Sequence, residues 1–440
     1  MSPRTRVVVA QKGAREHFLV ARALHRNGCL ARLVTDWYAP ENGFFSQVLR
    51  AVPGSKIRAA LAARADDLPY ELVRPLRWLG FTNKWRERAA ARRGCVFDGY
   101  DRTDAAFARA VARLRLPEHE VFFGYSYASL EAVEAEKRRG RLTIVDQIDP
   151  GPEEFRMVAE EMARFPDLAG PPIIYPTEHF ERARREWELA DVIVVNSDWS
   201  RGAIVAEGAD PVKIEVLPLA YEPVPRSEVG DPRSGTKSQR PVIGNPLAGG
   251  KLRVLWLGQV NVRKGIYYLL QAARLLEREP VEFIVAGSLG IRPEVVAGAP
   301  GNVKWLGPVP RSQVSELYQQ NDVFLLPTLS DGFAITQIEA LAHGLPVIVT
   351  RNCGRVVEDG VTGFLVPPRD SEALAGTIAK FILNRRLASE MSPRCIEASK
   401  VFSIDAYGKK LVQFIEKHTV RRRPSEDTYP LASGVPKVIL

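Results

Sequence analysis

Short apolar runs recur along the chain, and most are followed by a segment in which apolar residues keep helical spacing. The runs at Arg6–Ala10, Leu30–Thr35 and Val323–Pro327 are largely apolar without strict alternation. Such runs are typical of strands that are buried on both faces of a parallel sheet. The alternation of strand and helix predicts an α/β fold built from doubly wound parallel sheets.

The chain is predicted to divide into two domains. Residues 222–250 are rich in Pro, Gly and Ser and carry no hydrophobic period, which predicts a linker. We therefore expect an N-terminal domain over residues 1–221 and a second domain over residues 251–401. A helix is expected over residues 402–418, followed by a flexible tail over residues 419–440.

The most informative stretch is NDVFLLPTLSDGFAITQIEALAHG, residues 321–344. A buried strand is followed by a turn and then by an apolar stripe with helical spacing. Asp331 occupies the position expected for the N-cap of this helix, and Gly332 permits a close backbone approach. Glu339 follows eight residues later, which predicts two carboxylates on the first two turns of one helix. A helix N-terminus after a buried strand is a site for anions.

This stretch resembles the E-x7-E signature of family 4 glycosyltransferases, which have the GT-B fold. The positions that align with the pattern at intact spacing are Pro327, Asp331–Ala334, Glu339-Ala340, Gly344 and Pro346–Ile348. Two positions depart from the family pattern, because Asp331 replaces the first Glu and Ala334 replaces a glycine. The resemblance implies two Rossmann-like domains that face a cleft, the last helix crossing back to the N-terminal, acceptor-side domain. It also implies retaining transfer of a sugar from a nucleotide diphosphate sugar.

A second element precedes the signature. Residues 252–276 predict a strand that ends at Gly258 and a helix that begins near Gly265, with Arg263 and Lys264 at its N-terminal edge. Two cations beside a helix N-terminus suit a diphosphate. The element resembles the G-R-x-x-x-x-K-G motif of the same family, but Gln259 stands where the family has Arg. Our hypothesis is that Arg263 supplies the missing charge.

The resemblance also implies roles for individual residues. Arg263 and Lys264 would stabilise the charge that develops on the departing phosphate, helped by backbone amides in the range from Gly332 to Ile335. Glu339 would accept hydrogen bonds from the ribose hydroxyls. Asp331 would contact hydroxyls of the donor sugar, with a carboxylate retracted by about 1.5 Å relative to Glu.

Two candidates in the N-terminal domain carry alternatives. Asp146 follows a predicted strand at a position where many family members have a histidine that contacts the donor sugar. Asp146 and Asp149 could instead cap a helix that starts near Pro152. Gly13 lies in the first strand-to-helix loop, beside the donor in the family, but the same glycine could serve only a tight turn.

The residues predicted for the site fall into two sets, one catalytic and one that binds the donor. The catalytic candidates are Arg263, Lys264, Asp331 and Asp146. The resemblance places the nucleobase near Val309 and Pro310, and the donor-binding candidates are Gly13, Gly258, Gln259, Gly287, Val309, Pro310, Gly332, Phe333, Ala334, Ile335 and Glu339. No D-x-D motif is present, so we expect no metal and no cofactor besides the nucleotide sugar substrate.

Charge is distributed unevenly along the chain. The net charge is +9, yet residues 1–115 contain 22 Lys and Arg against 10 Asp and Glu. Two basic amphipathic patches, Phe45–Ala63 and Leu76–Arg93, fall in this third, and the second interleaves aromatic residues with cations. A basic aromatic face could contact an anionic membrane, or it could belong to an ordinary helix that packs its aromatic residues inward.

The four cysteines are scattered and suggest neither a zinc site nor disulfides, which favours a reducing compartment. Without a signal-peptide pattern or a long apolar run, we expect a cytoplasmic protein that could associate with the membrane surface. The expected partners are a nucleotide sugar donor and a glycan, lipid-linked or small-molecule acceptor. Nucleic acid is not expected, because no fold that binds it is recognisable.

Two other functions fit the same fold. Departures at Asp331, Gln259, Ala334 and Asp146 are compatible with a catalytically silent protein that binds a nucleotide or glycan, since fold does not fix function. Another enzyme that acts on sugar nucleotides, such as an epimerase, is the second alternative.

Overall fold

The computed structural model describes residues 5–40, 65–66, 68–169, 177–222 and 250–422. Within these residues the strands form two parallel sheets and one isolated pair of two-residue strands, β3 (Ala39–Pro40) and β4 (Ala65–Asp66). Each sheet lies between layers of helices, as the alternation of strands and helices predicts. The α/β fold class is therefore confirmed.

The first sheet has the order β5-β2-β1-β6-β7-β8-β9 among the described residues, and every neighbouring pair is parallel. Its strands are β1 (Val7–Gln11), β2 (Leu30–Thr35), β5 (Val73–Pro75), β6 (Val121–Tyr125), β7 (Leu142–Gln147), β8 (Val192–Val195) and β9 (Ile214–Val216).

The helices around this sheet are α1 (Leu19–Arg26), α2 (Arg77–Arg92), α3 (Val96–Ala112), α4 (Leu130–Arg138), α5 (Pro152–Arg164), α6 (Pro166–Ala169), α7 (Thr177–Leu189) and α8 (Asp198–Ala206). Short 3₁₀ segments occur at Arg15–Phe18, Tyr70–Leu72 and Pro211–Lys213.

The second sheet has the order β12-β11-β10-β13-β14-β15 and is also parallel throughout the described residues. Its strands are β10 (Leu252–Leu257), β11 (Val281–Ala286), β12 (Val303–Gly307), β13 (Val323–Leu326), β14 (Val347–Thr350) and β15 (Gly363–Val366). Its helices are α9 (Ile266–Leu275), α10 (Pro293–Ala297), α11 (Arg311–Gln319), α12 (Thr336–Ala342), α13 (Ser371–Leu383) and α14 (Leu387–Ser399).

The central strands are buried along their whole length. Every residue of β1, β6, β7, β13 and β14 is buried, because helices cover both faces of each sheet. This burial explains why these strands are apolar runs rather than alternating patterns.

The strand order reverses at one point in each sheet. In the second sheet β10 lies between β11 and β13, so the connections from β10 and from β13 leave in opposite directions. Ligands of open α/β sheets bind at this switch point, outside the carboxyl ends of the strands. The first sheet has its switch point between β1 and β6.

The last described helix, α15 (Ile404–Arg422), follows a 3₁₀ turn at Lys400–Phe402 and packs against α1 of the N-terminal domain. A Cβ on Gly408 would lie 2.5 Å from Nδ2 of Asn27, so the two helices are in close contact. The flexible tail was predicted to begin at residue 419, and this start was wrong because helix α15 continues to Arg422. The other domain boundaries stay predictions.

The basic patches have different outcomes. The whole of Phe45–Ala63 lies outside the described residues, which resume after residue 40 with residues 65–66. The patch Leu76–Arg93 forms α2, but its aromatic residues Trp78, Phe81 and Trp85 are exposed. The interpretation as an ordinary helix with inward aromatic residues was therefore wrong. In the described part of the chain, no helix combines the length and apolarity that a membrane crossing requires.

Helix α7 is dense in charged residues, yet it does not lie wholly in solvent. Glu186 on this helix is instead fully buried, and its carboxylate accepts hydrogen bonds from the backbone amides of Tyr127, Ser129 and Leu130. Burial raises the pKa of Glu186 to about 7 despite Arg182 and these donors. The carboxylate thus anchors the turn that precedes α4.

Candidate functional site

The two loops at the switch point of the second sheet place Lys264 and Asp331 in direct contact. Lys264 lies in the connection between β10 and α9, and Asp331 lies in the turn between β13 and α12. Their side chains form an ion pair, and both are largely shielded from solvent. Nη1 of Arg263 lies 3.6 Å from Oδ2 of the same carboxylate.

Backbone contacts fix the position of the Arg263-Lys264 loop. The amide of Leu329 donates to the carbonyl of Arg263 at 2.8 Å, and the Thr328 hydroxyl donates to it at 3.0 Å. Gly265 caps α9 with φ of +72°, and a Cβ there would lie 1.7 Å from the carbonyl oxygen of Pro327. Only glycine fits between the two loops at this point.

The charges of this cluster shift the pKa of Asp331. Burial alone would raise the pKa, but the cations of Lys264 and Arg263 outweigh burial, and the pKa lies below its usual value. The carboxylate is therefore ionised at neutral pH, and its charge balances two cations at the carboxyl end of the sheet.

The turn that carries Asp331 differs from the prediction. Oδ1 of Asp331 accepts a hydrogen bond from the amide of Ala334 at 3.1 Å, but α12 begins only at Thr336. Asp331 therefore closes a turn before the helix and is not its N-cap, and only Glu339 lies on the helix itself. Ala334 has φ of +61°, a conformation that favours the glycine found in the family pattern.

The neighbouring predicted residues have distinct surroundings. Phe333 is 2% exposed and packs against Phe402 and Gly354, so its side chain belongs to the core. Ile335 occupies the N-cap position of α12. Gly332 faces the N-terminal domain, where a Cβ would lie 2.8 Å from the carbonyl oxygen of Ile148.

Glu339 is held by an aromatic hydroxyl. The Tyr318 hydroxyl donates to Oε2 of Glu339 at 2.9 Å, and His343 stacks on the Tyr318 ring. Burial raises the pKa of Glu339 above its usual value, although Tyr318 and Arg311 oppose this shift. Arg311 also contacts His17 of the N-terminal domain. Arg311 and His17 were not predicted, because their proximity depends on how the two domains face each other.

The N-terminal domain contributes a carboxylate to the same cluster. Oε2 of Glu154, in the first turn of α5, accepts a hydrogen bond from the Ser330 hydroxyl at 2.9 Å and lies 3.5 Å from Nη1 of Arg263. Burial raises the pKa of Glu154 to about 7, and Arg263 only partly opposes this shift. Glu154 was not predicted from the sequence, because it lies 109 positions before Arg263 in the chain.

Further contacts join the two domains at this turn. The Ser197 hydroxyl donates to the carbonyl of Gly332 at 2.5 Å, and Nε1 of Trp199 donates to the Ser330 hydroxyl at 2.9 Å. Phe165 stacks on Tyr267 with ring centroids 3.7 Å apart. The turn that carries Asp331 is therefore part of the interface between the domains.

The first sheet presents a loop with a fixed glycine. The Gly13 amide donates to Oδ1 of Asp36 at 2.8 Å, and Gly13 has φ of +78°. The adjacent Lys12 bridges Asp104 of α3 at 2.5 Å and Glu87 of α2 at 3.1 Å. These contacts hold the loop at the carboxyl end of β1.

Asp146 lies in β7 near its carboxyl end and is 6% exposed. Burial raises its pKa well above the usual value, and the nearby carboxylate of Glu16 raises it further. Asp146 does not cap α5. Asp149 stabilises the start of α5, because its Oδ1 accepts a hydrogen bond at 2.9 Å from the amide of Gly151, the residue before the helix.

The remaining donor-binding candidates lie at strand ends of the second sheet. Gly258 follows β10 and Gly287 follows β11, and a Cβ on Gly287 would lie 1.6 Å from the carbonyl oxygen of Gly258. Gln259 is exposed, and Val309 and Pro310 precede α11. No group of three or more metal-ligating side chains occurs among the residues that the structure describes.

Parts of the chain are similar to known glycosyltransferases. A family model described as "Glycosyl transferases group 1" matches residues 251–384, the region that contains Lys264, Asp331 and Glu339. A D-inositol 3-phosphate glycosyltransferase from Corynebacterium urealyticum is 28% identical over 241 residues, which are 51% of this chain and 56% of that protein. The amylovoran biosynthesis glycosyltransferase AmsK from Erwinia amylovora is 26% identical over 192 residues, 40% of this chain and 44% of that protein. The matches thus span about half the length of these relatives.

Two solved structures resemble the whole chain. Sucrose-phosphate synthase from Thermosynechococcus elongatus has a TM-score of 0.59 at 17% identity, with 95% of this chain and 100% of that chain covered. Anabaena HepE in complex with UDP and glucose has a TM-score of 0.58 at 14% identity, with 94% and 100% covered. The fold is the GT-B fold. At these identities the likeness establishes the fold alone.

Proposed function

We propose that this protein is a glycosyltransferase that moves a sugar from a nucleotide diphosphate sugar to an acceptor. The observation that carries the proposal is the pair Arg263 and Lys264, which lies at the switch point of the second sheet beside the N-terminus of α9. Two cations at that place suit the diphosphate of a donor. The matched family region, the curated glycosyltransferase relatives and the HepE complexes with UDP and UDP-glucose support this proposal.

In the proposed reaction, negative charge develops on the phosphate that leaves the sugar. Arg263 and Lys264 stabilise that charge, and Asp331 turns from its ion pair with Lys264 towards hydroxyls of the donor sugar. Glu339, oriented by Tyr318, accepts hydrogen bonds from the ribose. We further propose that transfer proceeds with retention and without a metal ion, since the cations take the place of one.

The acceptor in this proposal is a glycan, a lipid-linked glycan or a small molecule, and it enters from the side of Gly13 and Asp146. Asp146, whose pKa is raised by burial, contacts the donor sugar in this proposal where family members use histidine. We propose a cytoplasmic location for the reaction.

The test is thermal stabilisation of the full chain by a panel of nucleoside diphosphates and their sugar conjugates. Binding to the folded state raises the melting temperature by mass action. We expect a shift for one nucleotide family that is lost in Lys264→Ala and kept in the control Lys251→Ala, which alters an exposed lysine before β10. The absence of a shift for every nucleotide would overturn the proposal.

One observation favours a catalytically silent binding protein as the second candidate. Both Arg263 and Lys264 are engaged by the carboxylates of Asp331 and Glu154, which compete with a diphosphate. Hydrolysis or transfer of the donor identified in the panel distinguishes the two functions. A silent protein binds the donor but shows the same background turnover as Lys264→Ala.

A further inference from the structure

Three large aromatic side chains on α2 project into solvent. Trp78, Phe81 and Trp85 are 84%, 66% and 69% exposed. Their spacing of three and seven residues places them on one stripe of the helix. A contiguous exposed patch of this kind marks a surface that binds a partner.

The opposite face of α2 is already packed within the protein. Nδ2 of Asn83 donates to the carbonyl of Thr103 at 3.3 Å, and Ala90 lies against Gly99 of α3, where a Cβ would be 2.7 Å from the Ala90 Cβ. Helix α2 is thereby fixed in its rotation about its own axis. The aromatic stripe stays outward because the other side of the helix is occupied.

The charges on α2 indicate the chemistry of the partner. Residues 77–93 contain one acidic residue, Glu87, and six cations, which are Arg77, Lys84, Arg86, Arg88, Arg92 and Arg93. Glu87 is turned towards the protein, where its carboxylate lies 3.1 Å from both Nζ of Lys12 and the Thr103 hydroxyl. The six cations are exposed. Lys84 also lies 3.5 Å from Oε2 of Glu87, and the other five cations leave an excess of positive charge on this surface. The surface therefore combines aromatic residues with a net positive charge.

We propose that this face of α2 binds a lipid bilayer that contains anionic lipids. Tryptophan and phenylalanine insert into the region between headgroups and acyl chains, while arginine and lysine attract anionic headgroups. The six cations complement the negative potential of such a membrane. The aromatic stripe complements its apolar interior.

The position of α2 connects this surface to the site. Gly80 packs on Asp36 so closely that a Cβ would lie 2.7 Å from the Asp36 carbonyl oxygen, and the Asp36 carboxylate holds the Gly13 amide. Glu87 reaches the same loop through Lys12. A membrane on α2 therefore lies beside the loop at the cleft. If the proposed function holds, membrane binding by α2 implies that the acceptor is anchored in a lipid surface. This consequence rests on the proposed function.

The experiment is sedimentation of the full chain with vesicles at low salt. One set of vesicles contains phosphatidylcholine alone, and the other contains equal parts of phosphatidylcholine and phosphatidylglycerol. We expect the wild type to sediment only with the second set and to be released by salt, because screening weakens surface attraction. The triple variant Trp78→Ala/Phe81→Ala/Trp85→Ala should partition at least about tenfold less.

Matched variants separate this surface from general effects. The charge variant Arg88→Glu/Arg92→Glu should also lose at least about tenfold in partitioning. Leu383→Ala removes a side chain that is 88% exposed on the other domain, and Lys251→Glu/Arg394→Glu reverses two exposed charges there. These two controls should sediment like the wild type. All variants should keep the wild-type melting temperature, since the altered side chains are exposed.

Several outcomes would overturn the proposal. The wild type could remain in the supernatant with anionic vesicles, or it could bind equally to both sets of vesicles. The triple variant could also sediment like the wild type. The wild type could fail to bind vesicles but self-associate or bind single-stranded RNA. If the triple variant lost that interaction, the face would be assigned to another partner. The nucleotide panel contains no lipid, so its failure overturns the proposed function and leaves the vesicle result standing.

Discussion

Oε2 of Glu154 lies 3.5 Å from Nη1 of Arg263, so a carboxylate of the N-terminal domain contacts a cation of the proposed phosphate site in the other domain. Ser330 donates to the same oxygen. The contact joins the domains at the turn that carries Asp331. Arg263 therefore has two roles, since it contacts Glu154 across the domain interface and is proposed to bind the phosphate of the substrate.

The pKa of about 7 for Glu154 predicts a pH-dependent stability. Because this pKa is raised from 4.5 in the folded state, the stabilisation is complete below about pH 4.5 and is lost as pH rises towards 7. Relative to Glu154→Gln, the free energy of unfolding of the wild type should fall by roughly 3 kcal/mol over this range.

Chemical denaturation of both proteins across this pH range measures the difference. Glu178→Gln, which alters an exposed glutamate of α7, is the matched control and should follow the wild type. Parallel pH profiles for the wild type and Glu154→Gln would show that the Glu154 carboxyl has an ordinary pKa.

The ion pair between Asp331 and Lys264 predicts opposite effects on binding and turnover. Asp331→Asn keeps an oxygen that accepts the Ala334 amide but removes the charge that competes for Lys264. Affinity for a nucleoside diphosphate should rise by at least about threefold, while sugar transfer should fall by at least about tenfold. Calorimetric titration and a transfer assay measure the two quantities.

Asp359→Asn provides the control for this substitution. The Asp359 side chain is exposed and likewise accepts a backbone amide, that of Leu365 at 2.9 Å. It should change neither affinity nor turnover. A loss of diphosphate affinity in Asp331→Asn would show instead that Asp331 holds Lys264 in its binding position.

The left-handed conformation of Ala334 predicts that glycine is preferred there. Ala334→Gly should raise the free energy of unfolding by about 1 kcal/mol, since an L-residue at this φ costs roughly 1–2 kcal/mol. Thermal unfolding measures the change. Ala340→Gly, in the buried centre of α12, should destabilise the protein by at least about 1 kcal/mol. Equal destabilisation by both substitutions would contradict the strain assigned to Ala334.

The contact between Gly265 and Pro327 predicts a severe effect of a single methyl group. In Gly265→Ala the new Cβ would overlap a backbone carbonyl, so the two loops must separate, at a cost of roughly 4 kcal/mol or more. Gly140→Ala shares a positive φ but has open space around the Cβ position. It should cost only about 1–2 kcal/mol. Similar unfolding midpoints for the two variants would contradict the close packing.

Much of the fold could be predicted from local patterns. The strand at Leu30–Thr35 has the predicted bounds, and α9 begins directly after Gly265 as expected. These features depend on apolar runs and on residues with special backbone preferences. Both are properties of short segments, so a sequence displays them directly.

Other features depend on the packing of distant segments and could not be predicted. The proximity of Glu154 to Arg263 requires the mutual orientation of two domains. The exposure of Trp78 and Trp85 was left open between two interpretations, because helical spacing reveals that a stripe exists but not which side of the helix the protein covers. The delayed start of α12 followed from the turn closed by Asp331 and Ala334.

The interface turn at Ser330–Phe333 also has a thermodynamic consequence. The carbonyl of Gly332 in this turn accepts a hydrogen bond from the Ser197 hydroxyl of the N-terminal domain. The residue before Gly332 is Asp331, which belongs to the proposed site. A molecule that binds one domain and changes the angle between the domains must therefore displace this turn. If the proposed donor changes the affinity for the proposed acceptor through this turn, linkage requires the acceptor to change the affinity for the donor by the same factor. Any cooperativity between the two substrates would be reciprocal.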